Sequence, residues 1–196
     1  MEVLRQPIED GKITISRANA SLTYPCSAMV VCAMNPCPCG FHGHPKRECT
    51  CPEGAAKRYL ARISGPLLDR IDIHIEVPPV DFDKLSSRVP SECSADIKKR
   101  VNAARRIQQE RLKGTGVSCN AKMDAALTKR FCRPTPEALA LLEEVFEKLD
   151  FSARAYDKVL RVSRTIADLE GCESIEASHI AQAVQYRSLD LSLIHI

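Results

Sequence analysis

Four cysteines in two closely spaced pairs constrain the fold of this chain more than any other feature. Cys37 and Cys39 form one C-x-C pair, and Cys49 and Cys51 form a second pair after nine intervening residues. Glycines between the pairs allow the chain to turn back, so the four thiolates can meet around a tetrahedral Zn²⁺. The pattern therefore predicts a loop over residues 36–52 that is clamped by a metal ion instead of by an apolar core.

Other interpretations of this loop remain open. The spacing is C-x-C and not the commoner C-x₂-C, so the thiols could instead stay free and reduced, or act as redox pairs. His42 or His44 could replace one of the thiolates. With four protein ligands, a zinc ion keeps no open coordination position for a substrate, so the predicted centre is structural.

Asn35 precedes the cysteine loop at the end of an apolar run. The run from Thr23 to Met34 reads TYPCSAMVVCAM, and its continuous apolar end predicts a buried strand. A polar side chain at the end of such a strand is placed where a sheet can present it to a ligand. Asn35 is therefore a candidate functional residue.

A second strand is predicted just before Pro78–Pro79, where the chain divides. Residues from Ile71 to Val77 alternate apolar and polar side chains, and the two prolines stop the pattern. His74 lies on the polar side of this strand and is interpreted as a solvated residue. With a short helix from Ala55 to Ala61, the first part of the chain is mixed α/β.

Helical patterns follow the prolines. The first is a basic amphipathic helix over residues 96–113, with seven basic and two acidic residues and with apolar positions at Ile97, Val101, Ala104, Ile107 and Leu112. Its basic face is either simply solvated or contacts nucleic acid. Capping residues predict further helices from Pro136 to about Leu149, from Ser152 to Gly171 and from Glu176 to about Leu189. The predicted fold class is thus α/β followed by all-α.

The composition is that of an ordinary globular protein. Charged residues make up 27% of the chain and the net charge is +3. No apolar run approaches the roughly 20 residues of a membrane span, and the opening residues lack a signal-peptide pattern. We expect a cytoplasmic protein without a membrane partner, in which the scattered cysteines are reduced and buried as small apolar residues.

Two arginines are candidates for phosphate chemistry. Arg70 follows a turn that Leu67 and Leu68 anchor, a placement suited to an arginine finger that neutralises charge on a transferring phosphoryl group; the alternative is a local ion pair with Asp69 or Asp72. Arg154 lies in the first turn of a helix, where backbone N–H groups favour phosphate. The alternative there is a solvated basic face that continues through Lys158, Arg161 and Arg164.

Four segments together resemble one family. They read LRQPIEDGKITISR, AMNPCPCG with the later C-x-C, RYLARISGPLLDRIDIHIEVP and SARAYDKVLRVSRTIADLEG. In order and spacing they are similar to the Mg-chelatase-like AAA+ ATPases of the YifB/ComM type, from Met1 to about Asp190. The resemblance implies that ATP with Mg²⁺ is the cofactor of the parent protein.

The resemblance also implies roles for the three candidate residues. Asn35 matches the sensor-1 residue that positions the attacking water near the γ-phosphate. Arg70 matches the arginine finger, which acts on ATP bound by the neighbouring subunit. Arg154 matches the sensor-2 arginine of the helical lid.

The implied domains are a partial AAA+ α/β core and a helical lid. Residues 1–79 would contain the C-terminal strands of the parallel sheet of the core, and residues 80–95 would be a linker. Residues 96–190 would form the lid, or chelatase C-terminal bundle. The last six residues, 191–196, depart from the family pattern and carry no predicted function.

The implied function is that of a hexameric, ATP-driven motor on DNA, with branch-migration or helicase-like activity. The sequence contains no G-x-x-x-x-G-K-[ST] loop, so we expect a C-terminal fragment that does not hydrolyse ATP alone. Two alternatives remain: a magnesium-chelatase-type ATPase subunit, and a non-enzymatic, zinc-stabilised interaction module.

Overall fold

The structure is a computed structural model and describes residues 4–80, 91–149 and 151–187. It divides into two compact units, one made of Met1–Ile71 with Val77–Pro79 and the other of Asp72–Glu76 with Val80–Ile196. The predicted linker falls largely, and the predicted tail entirely, outside the described residues.

The first unit contains short elements. In chain order they are helix α1 (Arg5–Asp10), strands β1 (Lys12–Arg17) and β2 (Ala20–Pro25), and helices α2 (Ala55–Leu60) and α3 (Gly65–Leu68). Helix α2 agrees with the helix predicted from Ala55 to Ala61. Leu67 and Leu68 of α3 are buried, as the turn pattern predicts.

Strands β1 and β2 form an antiparallel hairpin whose two faces differ. On one face Ile13 lies opposite Tyr24 and Ile15 lies opposite Leu22. On the other face, paired hydroxyl groups bond across the strands, with 3.1 Å between the Oγ1 atoms of the threonine pair and between the Oγ atoms of the serine pair. Every residue of both strands is exposed.

The buried strand predicted from Thr23 to Met34 is wrong. Strand β2 ends at Pro25, and residues 26–35 have no regular secondary structure. Met29 is 90% exposed and Val31 is 83% exposed. A strand needs a partner for its N–H and C=O groups, and within the described residues the sheet has only its two antiparallel strands. The predicted parallel sheet therefore does not form in this part of the chain.

The second unit is helical. Its helices are α4 (Ser94–Arg111), α5 (Ala125–Phe131), α6 (Pro136–Lys148), α7 (Ala153–Glu170) and α8 (Ala177–Gln185), with a 3₁₀ turn at Asn120–Lys122. The bounds of α6 and α7 match the predictions. Thr135 Oγ1 accepts a hydrogen bond from the Ala138 N–H at 3.3 Å, and Ser152 Oγ accepts one from the Ala155 N–H at 3.2 Å. Gly171, at φ 73°, ends α7.

An apolar core joins the helices of the second unit. Leu142 of α6, Val159 of α7 and Ile180 of α8 are each 0% exposed. Helix α4 contributes fewer residues to this core than its sequence pattern predicts, because Ile97, Val101 and Ile107 are exposed. Its buried residues are Ala104 and Gln108, and Leu112, which directly follows the helix, is also buried.

The segment from Ile71 to Val77 is not a strand of a sheet. A single bridge joins His74 to Arg187, and the His74 N–H donates to the Tyr186 carbonyl at 2.5 Å. His74 is 4% exposed, whereas Ile75 is 71% exposed. The interpretation of His74 as solvated is wrong, because His74 is buried against the residues that follow α8, whereas the apolar Ile73, Ile75 and Val77 are exposed.

No helix in the described ranges is both long enough and apolar enough to cross a membrane.

Candidate functional sites

The four cysteines of the loop converge on one point. The Sγ atoms of Cys37 and Cys39 lie 3.3 Å apart, and that of Cys49 lies 3.7 Å from Cys37 and 3.5 Å from Cys39. With Cys51, all four sulfurs lie within 4.8 Å of one another. A tetrahedral zinc with Zn–S bonds of about 2.3 Å places its sulfurs about 3.8 Å apart. The donor set and its spacing therefore fit a Zn(Cys)₄ centre.

Backbone groups support thiolate formation at the first pair. The Phe41 N–H, the largest influence, lowers the pKa of Cys39 to about 5. Burial and Cys39 oppose ionisation of Cys37, yet the pKa of Cys37 is lowered by the His42 backbone and by the thiols of the second pair. Two sulfurs of the cluster are thus prepared to bind a cation as thiolates.

The second pair behaves differently. Although the backbone of Cys39 favours ionisation, burial and the other thiols raise the pKa of Cys51 to about 12, and the pKa of Cys49 is also raised. Four negative sulfurs crowded together repel one another, so two protons remain until a cation compensates the charge.

The histidines of the loop lie outside the sulfur cluster. His44 Nδ1 accepts the Lys46 N–H at 3.0 Å, and the His44 ring meets Phe41 edge-on with centroids 5.7 Å apart. The Arg47 guanidinium lies 5.2 Å from the Phe41 ring centroid. Within the described part of the chain, the cluster consists of the four cysteines without a histidine.

The scattered cysteines follow their predicted burial only in part. Cys132 is buried, at 3% exposure, and this burial raises the pKa of its thiol to about 12 against the effect of nearby arginines. Cys32 and Cys93 are exposed, so the prediction of small buried apolar residues is wrong for them.

Asn35 is exposed and lies on backbone without regular secondary structure. It stands two positions before Cys37, which is fully buried in the sulfur cluster. The cysteine loop therefore holds the chain immediately after Asn35.

Arg70 is held inside the first unit by a distant carboxylate. Its Nε donates to Glu9 Oε2 at 2.8 Å, a second guanidinium nitrogen bonds to the same oxygen, and its Nη1 donates to the Pro66 carbonyl at 2.6 Å. The Arg70 side chain is 14% exposed. Glu9 lies 61 positions earlier in the sequence, so reasoning from the neighbours Asp69 and Asp72 could not find it.

Arg154 is exposed in the first turn of α7, but the rest of the predicted basic face is not solvated. Lys158 is 8% exposed, and its Nζ lies 2.6 Å from Asp72 Oδ1. Burial lowers the pKa of Lys158, while Asp72 raises it. Arg161 Nη1 donates to the Met123 carbonyl at 3.0 Å.

A buried carboxylate organises the middle of the second unit. Asp168 is 2% exposed and accepts hydrogen bonds from Arg111 at 2.9 Å, from Arg164 Nε at 3.0 Å and from Asn120 Nδ2 at 2.8 Å. Burial, the largest influence, lowers the pKa of Arg164, while Asp168 raises it. The four-residue spacing from Arg164 to Asp168 within one helix was the sequence signal for part of this network.

The predicted site residues are divided between the units. Asn35, Arg70 and the four cysteines belong to the first unit, and Arg154 belongs to the second. The structure brings the cysteines together, and it fixes Arg70 on Glu9.

A second group of possible metal ligands in the described residues joins Glu170, Cys172 and His179. His179 Nδ1 accepts the Glu176 N–H at 2.9 Å, so the proton of a neutral ring resides on Nε2. That nitrogen lies 3.1 Å from Glu170 Oε2 and is a hydrogen-bond donor there. Both ring nitrogens of His179 are therefore used in hydrogen bonds, one of which caps α8. Because neither nitrogen has a free lone pair for a metal ion, this group does not fit a metal site.

Two family models match the chain in succession. The model described as "Magnesium chelatase, subunit ChlI" matches residues 1–85. The model described as "Magnesium chelatase, subunit ChlI C-terminal" matches residues 91–187. The boundary between the matches falls within the predicted linker.

Similar proteins include YifB of Escherichia coli, named as an uncharacterized protein, which is 41% identical over the whole chain. The competence protein ComM of Haemophilus influenzae is 40% identical over 96% of the chain, and the uncharacterized protein Rv2897c of Mycobacterium tuberculosis is 33% identical over 95%. The chain spans 38% of the length of YifB and 36% of that of ComM. The chain belongs to the magnesium-chelatase-like family of the YifB and ComM type.

Proposed function

We propose that the chain is the C-terminal part of an ATP-driven motor that remodels DNA by branch migration or helicase-like movement. The observation that carries the proposal is the similarity to YifB and ComM, at 41% and 40% identity over 100% and 96% of the chain. The relative named as a competence protein supports DNA as the substrate. In this proposal the complete protein is cytoplasmic, forms a hexameric ring, and binds ATP with Mg²⁺.

The three candidate residues act on the nucleotide of this motor. Asn35 orients the attacking water, and Arg154 contacts the γ-phosphate as sensor 2. The exposure of Arg154 at the start of an 18-residue helix supports this role, because helix N-termini favour phosphate. Arg70 exchanges Glu9 for the phosphate of ATP in the neighbouring subunit.

Zinc holds the cysteine loop in this proposal. Cys37, Cys39, Cys49 and Cys51 are the ligands, and the ion has a structural role because no coordination position is left for substrate. The sulfur spacing supports this assignment. By closing the loop, zinc fixes the irregular backbone that presents Asn35.

Subunit mixing tests the arginine finger. In the complete protein, we expect Arg70→Ala to reduce ATP turnover by about 10³-fold or more. Subunits with Arg70→Ala should regain turnover when they are mixed with subunits whose nucleotide-binding lysine is replaced. The Arg70→Ala subunit keeps an intact nucleotide site, and the lysine variant keeps the Arg70 that acts on that site. Arg62→Ala, which removes an exposed arginine of the same unit, is the control. Failure of mixing to restore turnover would contradict action between subunits.

The isolated 196-residue chain provides a second test. We expect its ATPase activity to equal that of buffer, because the sequence contains no P-loop to cradle the phosphates. Turnover that Arg154→Ala abolishes would contradict this expectation.

A magnesium-chelatase subunit acting with tetrapyrroles is the second candidate, since the matching family models carry that description. Binding of DNA by the complete protein separates the two. A DNA motor loses affinity steeply as salt rises, because phosphate contacts release counterions. Absence of salt-dependent DNA binding would favour the chelatase function. If both activities are absent and zinc is present, the zinc-stabilised interaction module remains.

A further inference from the structure

A cavity in the second unit brings four arginines together at a distance from Arg154. Its volume is ≈ 290 Å³, and it lies among the ends of α4 and α5, helix α7 and the connection from α7 to α8. Its lining includes Arg111, Arg130, Arg133, Arg164 and Glu173. Arg164 is ten positions after Arg154 on α7, which is about 15 Å along the helix axis. The cavity is therefore separate from the position assigned to sensor 2.

The inner wall of the cavity is rigid. Arg111 and Arg164 share the buried carboxylate of Asp168, and Arg164 also donates to the carbonyls of Cys172 and Glu173, each at 2.5 Å. These bonds leave the two guanidinium groups with little freedom to turn toward other partners. They form a fixed positive surface at low exposure, at 17% for the Arg111 side chain and 3% for that of Arg164.

The mouth of the cavity carries two arginines outside the buried network of Asp168. Arg130 and Arg133 are exposed, and among the described residues neither forms an ion pair. The Arg130 guanidinium lies 4.9 Å from the ring centroid of Phe131, a contact that restricts its orientation.

The charges around the cavity do not balance. Four guanidinium groups surround it, whereas the carboxylates are those of Asp168, which is already used by the inner pair, and Glu173. Like charges gathered around one cavity repel one another. An anion in the cavity would relieve that repulsion, and the guanidinium fork matches the oxygens of a phosphate group.

We propose that this cavity binds a phosphate group. Its volume is at the lower end of small-molecule sites, which suits a phosphate or pyrophosphate better than a whole nucleotide. The phosphate has two sources with the same chemistry: the backbone of a nucleic acid that passes over the mouth, and free phosphate or pyrophosphate. Arg111 and Arg164 provide the fixed inner wall, and Arg130 and Arg133 provide the donors at the mouth.

Two binding measurements on the 196-residue chain distinguish these sources. Calorimetry measures the binding of pyrophosphate, and fluorescence anisotropy measures that of a labelled single-stranded oligonucleotide over a series of salt concentrations. Each is repeated with Arg130→Ala/Arg133→Ala and with Arg130→Lys/Arg133→Lys, which keeps the charge but loses the bidentate fork. Arg58→Ala/Arg62→Ala removes the same charge from two exposed positions of the first unit and is the matched control.

We expect the double alanine variant to bind its phosphate ligand about tenfold more weakly or worse, with the lysine variant in between. If the source is nucleic acid, the slope of log K against log salt falls by about 1.4, since each lost contact with a single strand contributes about 0.7. If the source is free phosphate, the loss appears with pyrophosphate alone.

Thermal unfolding of each variant checks that the fold is intact, and pyrophosphate should raise the melting temperature of the parent chain more than that of the alanine variant. Equal binding of both probes by the alanine variant and the parent chain overturns the proposal. An equal loss in the Arg58→Ala/Arg62→Ala control overturns it as well, because the effect would then follow overall charge and not the cavity.

Discussion

The two units of this chain keep their shape by different means. In the second unit, Leu142, Val159 and Ile180 belong to a continuous apolar core. In the described part of the first unit, the buried apolar residues are Cys37, Leu67 and Leu68, and both faces of the hairpin are exposed. A segment with so little buried apolar area needs another source of stability. The comparison therefore predicts that the first unit depends on the cysteine centre and the second does not.

The largest expected effect is that of metal removal. Structural zinc contributes about 10–16 kcal/mol of apparent binding energy in small zinc domains. We expect about one zinc per chain, and we expect a strong chelator to expose the backbone around residues 36–52 while the helices of the second unit stay protected. Hydrogen exchange read by mass spectrometry reports on both units in one sample.

Cysteine variants sharpen this prediction. Cys37→Ser/Cys49→Ser should reproduce the effect of the chelator, whereas Cys93→Ser, at an exposed thiol outside the cluster, should not. Two outcomes would show that the cluster does not stabilise the first unit. One is hydrogen exchange in the loop that does not change when the chelator is added, and the other is a zinc content that Cys37→Ser/Cys49→Ser leaves unchanged.

The second effect in size concerns the buried carboxylate of the helical unit. Asp168→Ala leaves Arg111 and Arg164 without their shared partner in a site that is largely closed to water. Breaking a buried ion pair in this way costs about 3–5 kcal/mol, measured as a lower midpoint of urea unfolding. Glu144→Ala breaks the exposed i,i+4 pair with Lys148 and should cost at most about 1 kcal/mol. Equal costs for the two variants would contradict a structural role for the buried network.

The third effect is a pH dependence that belongs to the second unit. The Cys132 thiol has a pKa of about 12 in the folded chain against an ordinary value of 9.0. Between these values the unfolded chain releases the proton and the folded chain keeps it, so stability falls as pH rises. The slope is about 1.4 kcal/mol per pH unit for one proton.

Cys132→Val should remove this contribution, which is visible as the difference between the two chains in urea unfolding from pH 9 upward. At lower pH, iodoacetamide should modify the exposed Cys93 of the native chain well before Cys132. Identical pH profiles for Cys132→Val and the parent chain would refute the assignment.

The ends of α6 and α7 were predictable from the sequence, whereas the two strands predicted from apolar patterns were wrong. The caps of α6 and α7 are Thr135, Ser152 and Gly171, and each bonds to backbone groups only three or four positions away. The local sequence was therefore enough to predict where these two helices begin and end. The predicted strands at Thr23–Met34 and Ile71–Val77 required partners from elsewhere in the chain. An apolar run shows that a segment is suited to a strand but not that a partner strand is present.

The same distinction applies to the candidate sites. The cysteines lie close together in sequence, and their convergence followed from the loop spacing. The partner of Arg70 lies 61 positions away and that of Arg111 lies 57 positions away. Such pairs depend on how the elements pack, and nothing in the local sequence selects Glu9 or Asp168 over other carboxylates.

The smallest expected effect is the loss of a helix cap, and the two units differ in how their helices are capped. In the second unit, α5, α6 and α7 each donate a backbone N–H of the first turn to a capping side chain. In the described part of the first unit, α1 and α2 are six residues long and lack such a bond. Ser152→Ala should cost about 1 kcal/mol, because it leaves the Ala155 N–H without its acceptor. It should also loosen the first turn of α7, where Arg154 lies.

Ser118→Ala is the control, since Ser118 is exposed in a connection between helices. Calorimetric melting measures the stability of both variants, and hydrogen exchange at residues 153–156 measures the fraying of α7. If the cap holds Arg154 in place, Ser152→Ala accelerates exchange there and leaves exchange in the middle of α7 unchanged. Unchanged exchange at both positions would mean that packing of α7 against the core, and not its cap, fixes the start of the helix that carries Arg154.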